Sequence, residues 1–251
     1  MSCTILESKV AVVTGASRGI GKSIAEALAR NGAIVYANVR EENTTLQKWL
    51  SEINELAPGE VRLSHFDITD QRESKDKITA IWREHKKIDV LINNAGIEYN
   101  ENIGMISSSH IQKMFQINVI ALIEIAQLVG RIMMKCQSGS IVNIASIVGR
   151  YGAPGQCVYS ATKGAVISFS RSAAKELGPY NIRVNAIAPG ITQTDMVVGL
   201  KKEFLDRRIA QIPLGRIATP QDIAEACVFL ASDNSSYISG QVLGIDGGCT
   251  L

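Results

Sequence analysis

The sequence predicts an α/β fold, a doubly wound parallel sheet in a single domain. Three observations carry this: seven short apolar runs, longer helical stretches between them, and a glycine-rich turn joining the first run to the first helix. A length of 251 residues suits one α/β domain with a large core and leaves little room for a second. Val10–Thr14, Ala33–Asn38, Val61–Phe66, Val90–Asn93, Ser140–Ser146, Arg183–Ala188 and Val242–Ile245 read as strands. Most are almost continuously apolar, as parallel strands covered on both faces must be. Gly19–Asn31, Thr44–Leu56, Gln71–Lys86, Ser109–Lys135, Val158–Leu177 and Gln221–Ala231 read as helices. Such alternation builds βαβ units. No repeat, low-complexity tract or linker interrupts it. Thr192–Leu214 breaks the rhythm before the last helix, and a long excursion of that kind reads as a lid or substrate loop.

Composition narrows the function classes. Hydrophobic residues at 46% and charged residues at 20% describe a soluble globular chain. A net charge of +2 makes no case for nucleic acid or an anionic membrane as partner. Met1–Val10 shows no secretory pattern, and no apolar run reads as long enough to span a bilayer. Cys3, Cys136, Cys157, Cys227 and Cys249 are scattered and form no CxxC, which points to a reducing, cytoplasmic compartment rather than to disulfides or zinc. His65, His85 and His110 lack metal-ligand spacing and read as surface histidines, so no metal is expected.

In a doubly wound, Rossmann-type sheet, ligands bind beyond the carboxyl ends of the strands. That rule directs attention to Thr14–Gly21, Arg40, Asp67, Asn93–Gly96, Ser146 and Pro189–Thr194. The first of these carries Gly15, Gly19 and Gly21, with Ser17, Arg18 and Ile20 between them, in GxxxGxG spacing. Glycines let backbone N–H groups approach a pyrophosphate at a helix N-terminus, although an ordinary strand–helix turn has similar composition. Sites for NAD place an acidic residue at the end of the second strand. Here Val39 falls there, followed by Arg40. Arg18 and Arg40 together suit a ribose 2′-phosphate, so NADP(H) is expected, the alternative being two solvated arginines. Glu41 or Glu42 would reverse the choice if the strand ran further.

Tyr159 and Lys163 are spaced i and i+4, which puts them on one face of a helix. A phenol with a pKa of about 10 is a poor acid–base group alone, and a neighbouring ammonium lowers that pKa. YxxxK spacing by itself is common. Its placement is more telling, because Ser146 ends a strand thirteen positions earlier and can hydrogen-bond a carbonyl or alcohol oxygen beside the tyrosine. As a bland alternative, Ser146 is a cap or turn residue. Asn118 lies inside the apolar run Ile117–Ile125 and needs partners there, whether as a bonded core amide or as part of a site.

The glycine turn, the Asn93-Asn-Ala-Gly96 segment and Tyr159-Ser-Ala-Thr-Lys163 together resemble the short-chain dehydrogenase/reductase family, over essentially the whole chain. The resemblance implies that Asp67 contacts an adenine with Ile68 packed near it, and that Asn93, Ala95 and Gly96 line the adenosine side. It implies that Pro189, Gly190 and the Ile191 backbone support a nicotinamide, with Thr194 near the phosphates. Asn118, Ser146, Tyr159 and Lys163 match the family's catalytic tetrad, in which Ser146 orients the substrate oxygen and Tyr159 protonates it. Lys163 holds the ribose, and Asn118 helps hold a water that relays protons. Tetramers are common in the family, so a homotetramer is expected. Within the family, Ser140–Gly149, Gly190–Met196, Ile212–Arg216, Phe229–Asp233, Gly240 and Asp246–Gly248 are most like the 3-oxoacyl-[acyl-carrier-protein] reductases of fatty-acid synthesis.

Two departures loosen that substrate. Basic residues expected near a carrier-protein face are thin, with Arg131, Lys135 and Lys175 remaining, and the loop Ile97–Ile106 is acidic where the family is often basic. An acyl-thioester ketone, with an acyl-carrier protein as partner, therefore stands beside two alternatives. One is a free ketone, sugar, steroid or biosynthetic intermediate. The other, of a different class, is a non-catalytic NADP(H)-binding protein, against which the intact tetrad speaks.

Overall fold

The computed structural model describes residues 4–41, 43–194 and 202–249. Cys3, Glu42 and positions 195–201 of the excursion after the sixth strand lie outside the described residues. The chain runs β1 (Val10–Val13), α1 (Gly19–Arg30), β2 (Ile34–Val39), α2 (Thr44–Leu56), β3 (Glu60–His65), α3 (Gln71–His85) and β4 (Val90–Asn93). It continues with α4 (Ser108–Phe115), a π-helical segment (Gln116–Ala121), α5 (Leu122–Cys136), β5 (Gly139–Ile144), α6 (Val148–Tyr151) and α7 (Cys157–Leu177). Then come β6 (Ile182–Pro189), α8 (Lys202–Ile209), α9 (Pro220–Ala231) and β7 (Val242–Ile245).

All seven strands form one parallel sheet in the order β3-β2-β1-β4-β5-β6-β7. The strands β1, β4 and β5 are buried along most of their length, which explains their unbroken apolar sequences. The strand order reverses between β1 and β4, where Val12 pairs with Leu91 and Val13 with Ile92. That junction is the topological switch point, where a crevice opens at the carboxyl ends. On one face, α1, α2 and α9 pack through Ile24, Leu28, Trp49, Ile223 and Val228. On the other, α3, α5 and α7 pack through Ile78, Ile81, Ile125, Val129 and Ala174.

Helix starts follow side-chain chemistry. Asn43 accepts from the Leu46 N–H to begin α2, and Asp70 accepts from Arg72 and Glu73 to begin α3. Thr219 and Asp222 close a reciprocal capping box at α9, with Pro220 in its first turn. Arg216 grips the same Asp222 through both carboxylate oxygens, at 2.7 and 2.9 Å.

The structure corrects five sequence expectations. The stretch Ser109–Lys135 is not one uniform α-helix: a π-helical segment interrupts it at Asn118. The short helix α6 follows β5 where the sequence predicts no element, and α8 occupies part of the excursion read as a loop. The whole run Ser108–Cys136 spans 29 residues and is long and apolar enough by length and composition to cross a membrane. Its inner side chains Met114, Leu122, Ile125, Val129 and Met133 are buried in the fold, so it is a core helix here. Finally, His85 and His110 are engaged rather than solvated: His85 bonds Tyr36, and His110 bonds Glu101 while stacking on Tyr99.

Candidate active site

Beyond β1 the chain turns sharply at Gly15 (φ 63°) and enters α1 at Gly19 (φ 54°), two left-handed positions that favour glycine. The turn is packed closely against the segment after β4. A Cβ on Gly15 would sit 2.8 Å from the Ala95 Cα, and one on Gly21 would sit 2.3 Å from the Gly15 carbonyl oxygen. The Asn94 amide donates to the Thr14 and Gly15 carbonyls at 3.0 Å, and the Thr14 hydroxyl accepts from the Asn94 and Ala95 N–H groups. From the other side, Asn38 at the end of β2 accepts from the Gly15 N–H and donates to the Phe66 carbonyl. Helix α1 begins with no side chain capping it and no acidic residue in its first turn. A helix N-terminus left open in this way suits a pyrophosphate.

Around that turn lie the other expected cofactor residues. Ser17, Arg18 and Arg40 are exposed, and Ile20 is half-buried. The Asp67 carboxylate accepts from the Thr69 N–H and hydroxyl, at 2.8 and 2.7 Å. Its pKa is lowered, first by that backbone bond and also by the Arg40 charge. Ile68 is buried beside it. Thr194 lies against the glycine turn, 3.5 Å from where a Gly19 Cβ would be. Pro189 ends β6 and its carbonyl accepts from the Ile147 N–H. Gly190 packs on Asp246, and the Ile191 carbonyl accepts from Ala218. Asn93 is the exception. Its side chain turns into the sheet and donates to Asn143 at 2.9 Å, and Asn143 in turn donates to Ser170.

Helix α7 carries Tyr159 and Lys163, with the Lys163 Nζ 5.6 Å from the phenol ring centroid. Lys163 is buried and its ammonium donates to the Ile144 carbonyl at 2.8 Å. Ser146, two residues beyond β5, lies beside the Tyr159 hydroxyl and favours its ionised form. Gly149 lets α6 close against α7: a Cβ there would lie 2.7 Å from the Lys163 carbonyl carbon. Asn118 is fully buried in the π-helical segment, a distortion frequent at functional sites. Its amide bonds the Ile97 N–H and carbonyl, each at 2.8 Å, and donates to Thr162 at 3.1 Å. Gly96 leaves space above this group, since a Cβ would lie 3.3 Å from Asn118 Oδ1 and 3.4 Å from Lys163 Nζ.

Electrostatics differ from the sequence expectation. Burial pushes the Lys163 ammonium down to about 8. Burial, and next the Glu98 charge, push the Tyr159 phenol above its ordinary value, against the opposing influence of Ser146. In the protein alone, desolvation therefore outweighs the lowering expected from the neighbouring ammonium.

The sequence reading missed several residues. Glu98 follows the segment that Asn118 grips, and Gln156, three positions before Tyr159, donates to its carboxylate. Thr162 holds the frame too, together with Gly149, Thr14 and Asn94 of segments that the sequence had singled out. Only Glu98 and Gln156 had a readable signal, an acidic residue at a strand-end loop and an i, i+3 relation to the tyrosine. Among the described residues, no group of three or more His, Cys, Asp or Glu sits together to hold a metal ion.

Known proteins resemble the chain along its length. A family profile described as Enoyl-(Acyl carrier protein) reductase matches residues 15–250. The 3-oxoacyl-[acyl-carrier-protein] reductase of Thermotoga maritima is 40% identical over 98% of this chain and 99% of its own. The 3alpha-hydroxysteroid dehydrogenase of Mediterraneibacter gnavus is also 40% identical, over 97% of each chain. A crystal structure of 3-oxoacyl-[acyl-carrier protein] reductase from Brucella melitensis superposes with a TM-score of 0.89 at 30% identity, over 99% of this chain and 93% of that one. With a glycine turn at the switch point and Ser146, Tyr159 and Lys163 gathered beside it, the chain belongs to the short-chain dehydrogenase/reductase family of oxidoreductases.

Proposed function

We propose that this oxidoreductase reduces a ketone to a secondary alcohol with NADPH, and that the ketone is a 3-oxoacyl thioester. The observation that carries the reading is the Ser146–Tyr159–Lys163 cluster on one side of a glycine turn with an uncapped helix start. The glycine turn fits a dinucleotide, because Gly15 and Gly21 let it pack tightly against Asn94 and Ala95 while the α1 N-terminus stays uncapped. Arg18 and Arg40, both exposed at the adenosine end, suit a 2′-phosphate. When bound, the nicotinamide supplies the hydride.

The chain's own residues handle the proton and the geometry. The Tyr159 hydroxyl donates its proton to the developing alkoxide. A phenol whose pKa is raised by burial is protonated at neutral pH, which is the form a general acid requires. Ser146 hydrogen-bonds the same substrate oxygen and orients it. Lys163 reaches the ribose hydroxyls and faces the phenol with its positive charge. The Asn118 side chain is committed to Ile97 and Thr162 and fixes the loop that borders the site. The thioester substrate and an acyl-carrier protein partner rest on the names of the 40%-identical relatives. Arg131, Lys135 and Lys175 are all exposed, Lys135 lying over the Trp82 ring, and these are the basic residues available to an acidic carrier there.

A second reading, a free ketone such as a steroid, is favoured by the equally similar hydroxysteroid dehydrogenase and by the acidic Glu98 and Glu101 at the mouth. Parallel assays of NADPH oxidation with acetoacetyl-carrier protein, acetoacetyl-CoA and free ketones, with NADH as control, separate the two. Tyr159→Phe abolishes turnover and spares NADPH binding; undiminished turnover overturns the mechanism. A cytoplasmic homotetramer completes the proposal. Ile111 and Ile120 face outward on the long helix, and Leu243 is exposed on the edge strand β7. Light scattering giving a monomer would remove that part.

A further inference from the structure

Glu98 is held in place twice over. The Asn118 amide fixes the Ile97 backbone just before it. Three residues later, the Glu101 N–H donates to the Gly155 carbonyl at 2.8 Å, docking the loop on the segment that leads into α7. Gln156 is the N-cap of α7 and Tyr159 lies one turn on, so the two share a helix face with Lys163. The Gln156 amide donates to the Glu98 carboxylate. A half-buried carboxylate is thereby tethered on the same helix face as the phenol, near enough for its charge to act on Tyr159.

We propose that Glu98 is a specificity-determining residue, tethered by Gln156 beside Tyr159, that disfavours ketones carrying an anionic group close to the carbonyl and selects uncharged ones. This rests on the ketone-reduction reading and narrows its substrate class. The charges facing Glu98 do not cancel it. Lys163 lies beyond the phenol with its ammonium on the Ile144 carbonyl, and Arg150 of α6 donates to the Val242 carbonyl. His110 is paired with Glu101. The Glu98 charge acts on both groups, adding to the rise of the Tyr159 phenol and opposing the burial that lowers the Lys163 ammonium. Two like charges within roughly 6 Å, half shielded by water, repel enough to change a rate constant by about tenfold.

Ethyl acetoacetate and acetoacetate differ at the relevant position by one negative charge. Their kcat/KM values with NADPH are to be measured for the full chain and for Glu98→Gln and Glu98→Lys, with thermal melts confirming that each is folded. The acid-to-ester ratio is expected to rise about tenfold in Glu98→Gln and further in Glu98→Lys. Gln at 98 retains a hydrogen-bonding partner for Gln156, so a purely anchoring role leaves the ratio unchanged and overturns the proposal. If the unsubstituted chain turns over neither the ester nor any ketone of the wider panel, the ketone-reduction reading itself fails, an outcome distinct from an unchanged ratio.

Discussion

Asn118 holds the Ile97 backbone from both sides, its Oδ1 accepting from the N–H and its Nδ2 donating to the carbonyl, each at 2.8 Å. One buried amide thus ties the π-helical segment to the loop that leaves β4. The same loop carries Gly96 and Glu98, so its position relative to Tyr159 depends on this contact.

Asn118→Ala is expected to strand the Ile97 N–H and carbonyl and to lower stability by about 2 kcal/mol. Urea denaturation checks this. A loss below about 0.5 kcal/mol would mean that water replaces the amide at little cost.

Lys163 makes a stability contribution of defined sign. Burial lowers its pKa from the ordinary lysine value of 10.5 to about 8 in the fold. Between those values the unfolded chain binds more protons, so stability rises with pH across the window, by about 3 kcal/mol in all. Below pH 8 the fold carries the full cost of the buried ammonium. Lys163→Met removes that cost at every pH. The stability difference between the variant and the unsubstituted chain, read from denaturation midpoints, should therefore shift in favour of the unsubstituted chain as pH rises from about 7.5 to about 9.5. A difference independent of pH would show that the ammonium is not desolvated.

Gly149→Ala places a Cβ 2.7 Å from the Lys163 carbonyl carbon. The expected relief is a shift of α6 away from α7, which carries Ser146 away from the Tyr159 hydroxyl. Turnover should fall by about tenfold or more, since misplacement of reacting groups by an ångström is that costly. NADPH affinity, measured by fluorescence titration, should stay within a few fold because the glycine turn is remote from α6.

Arg40→Ala tests the cofactor preference. A charge-assisted bond to a 2′-phosphate contributes about 1.5–3 kcal/mol, so KM for NADPH should rise by roughly ten- to a hundredfold. KM for NADH should barely move. Equal effects on both would place Arg40 on a group the two cofactors share.

Much of this protein was legible in the chain itself. The apolar runs specified the seven strands to within a residue or two, because a parallel strand buried on both faces has few sequence options. The glycine turn and the Tyr159–Lys163 spacing were legible for a related reason: each depends on residues close together along the chain. The tertiary structure alone decided what those residues meet. Glu98 and Gln156 are 58 positions apart, Asn118 and Ile97 are 21 apart, and Lys163 and Ile144 are 19 apart. Each pair comes together because β4, β5 and α7 are neighbours in the sheet and its covering layer. That adjacency follows from strand order, which no local periodicity encodes. It also set the balance of burial against charge that pushes the Lys163 ammonium down and the Tyr159 phenol up.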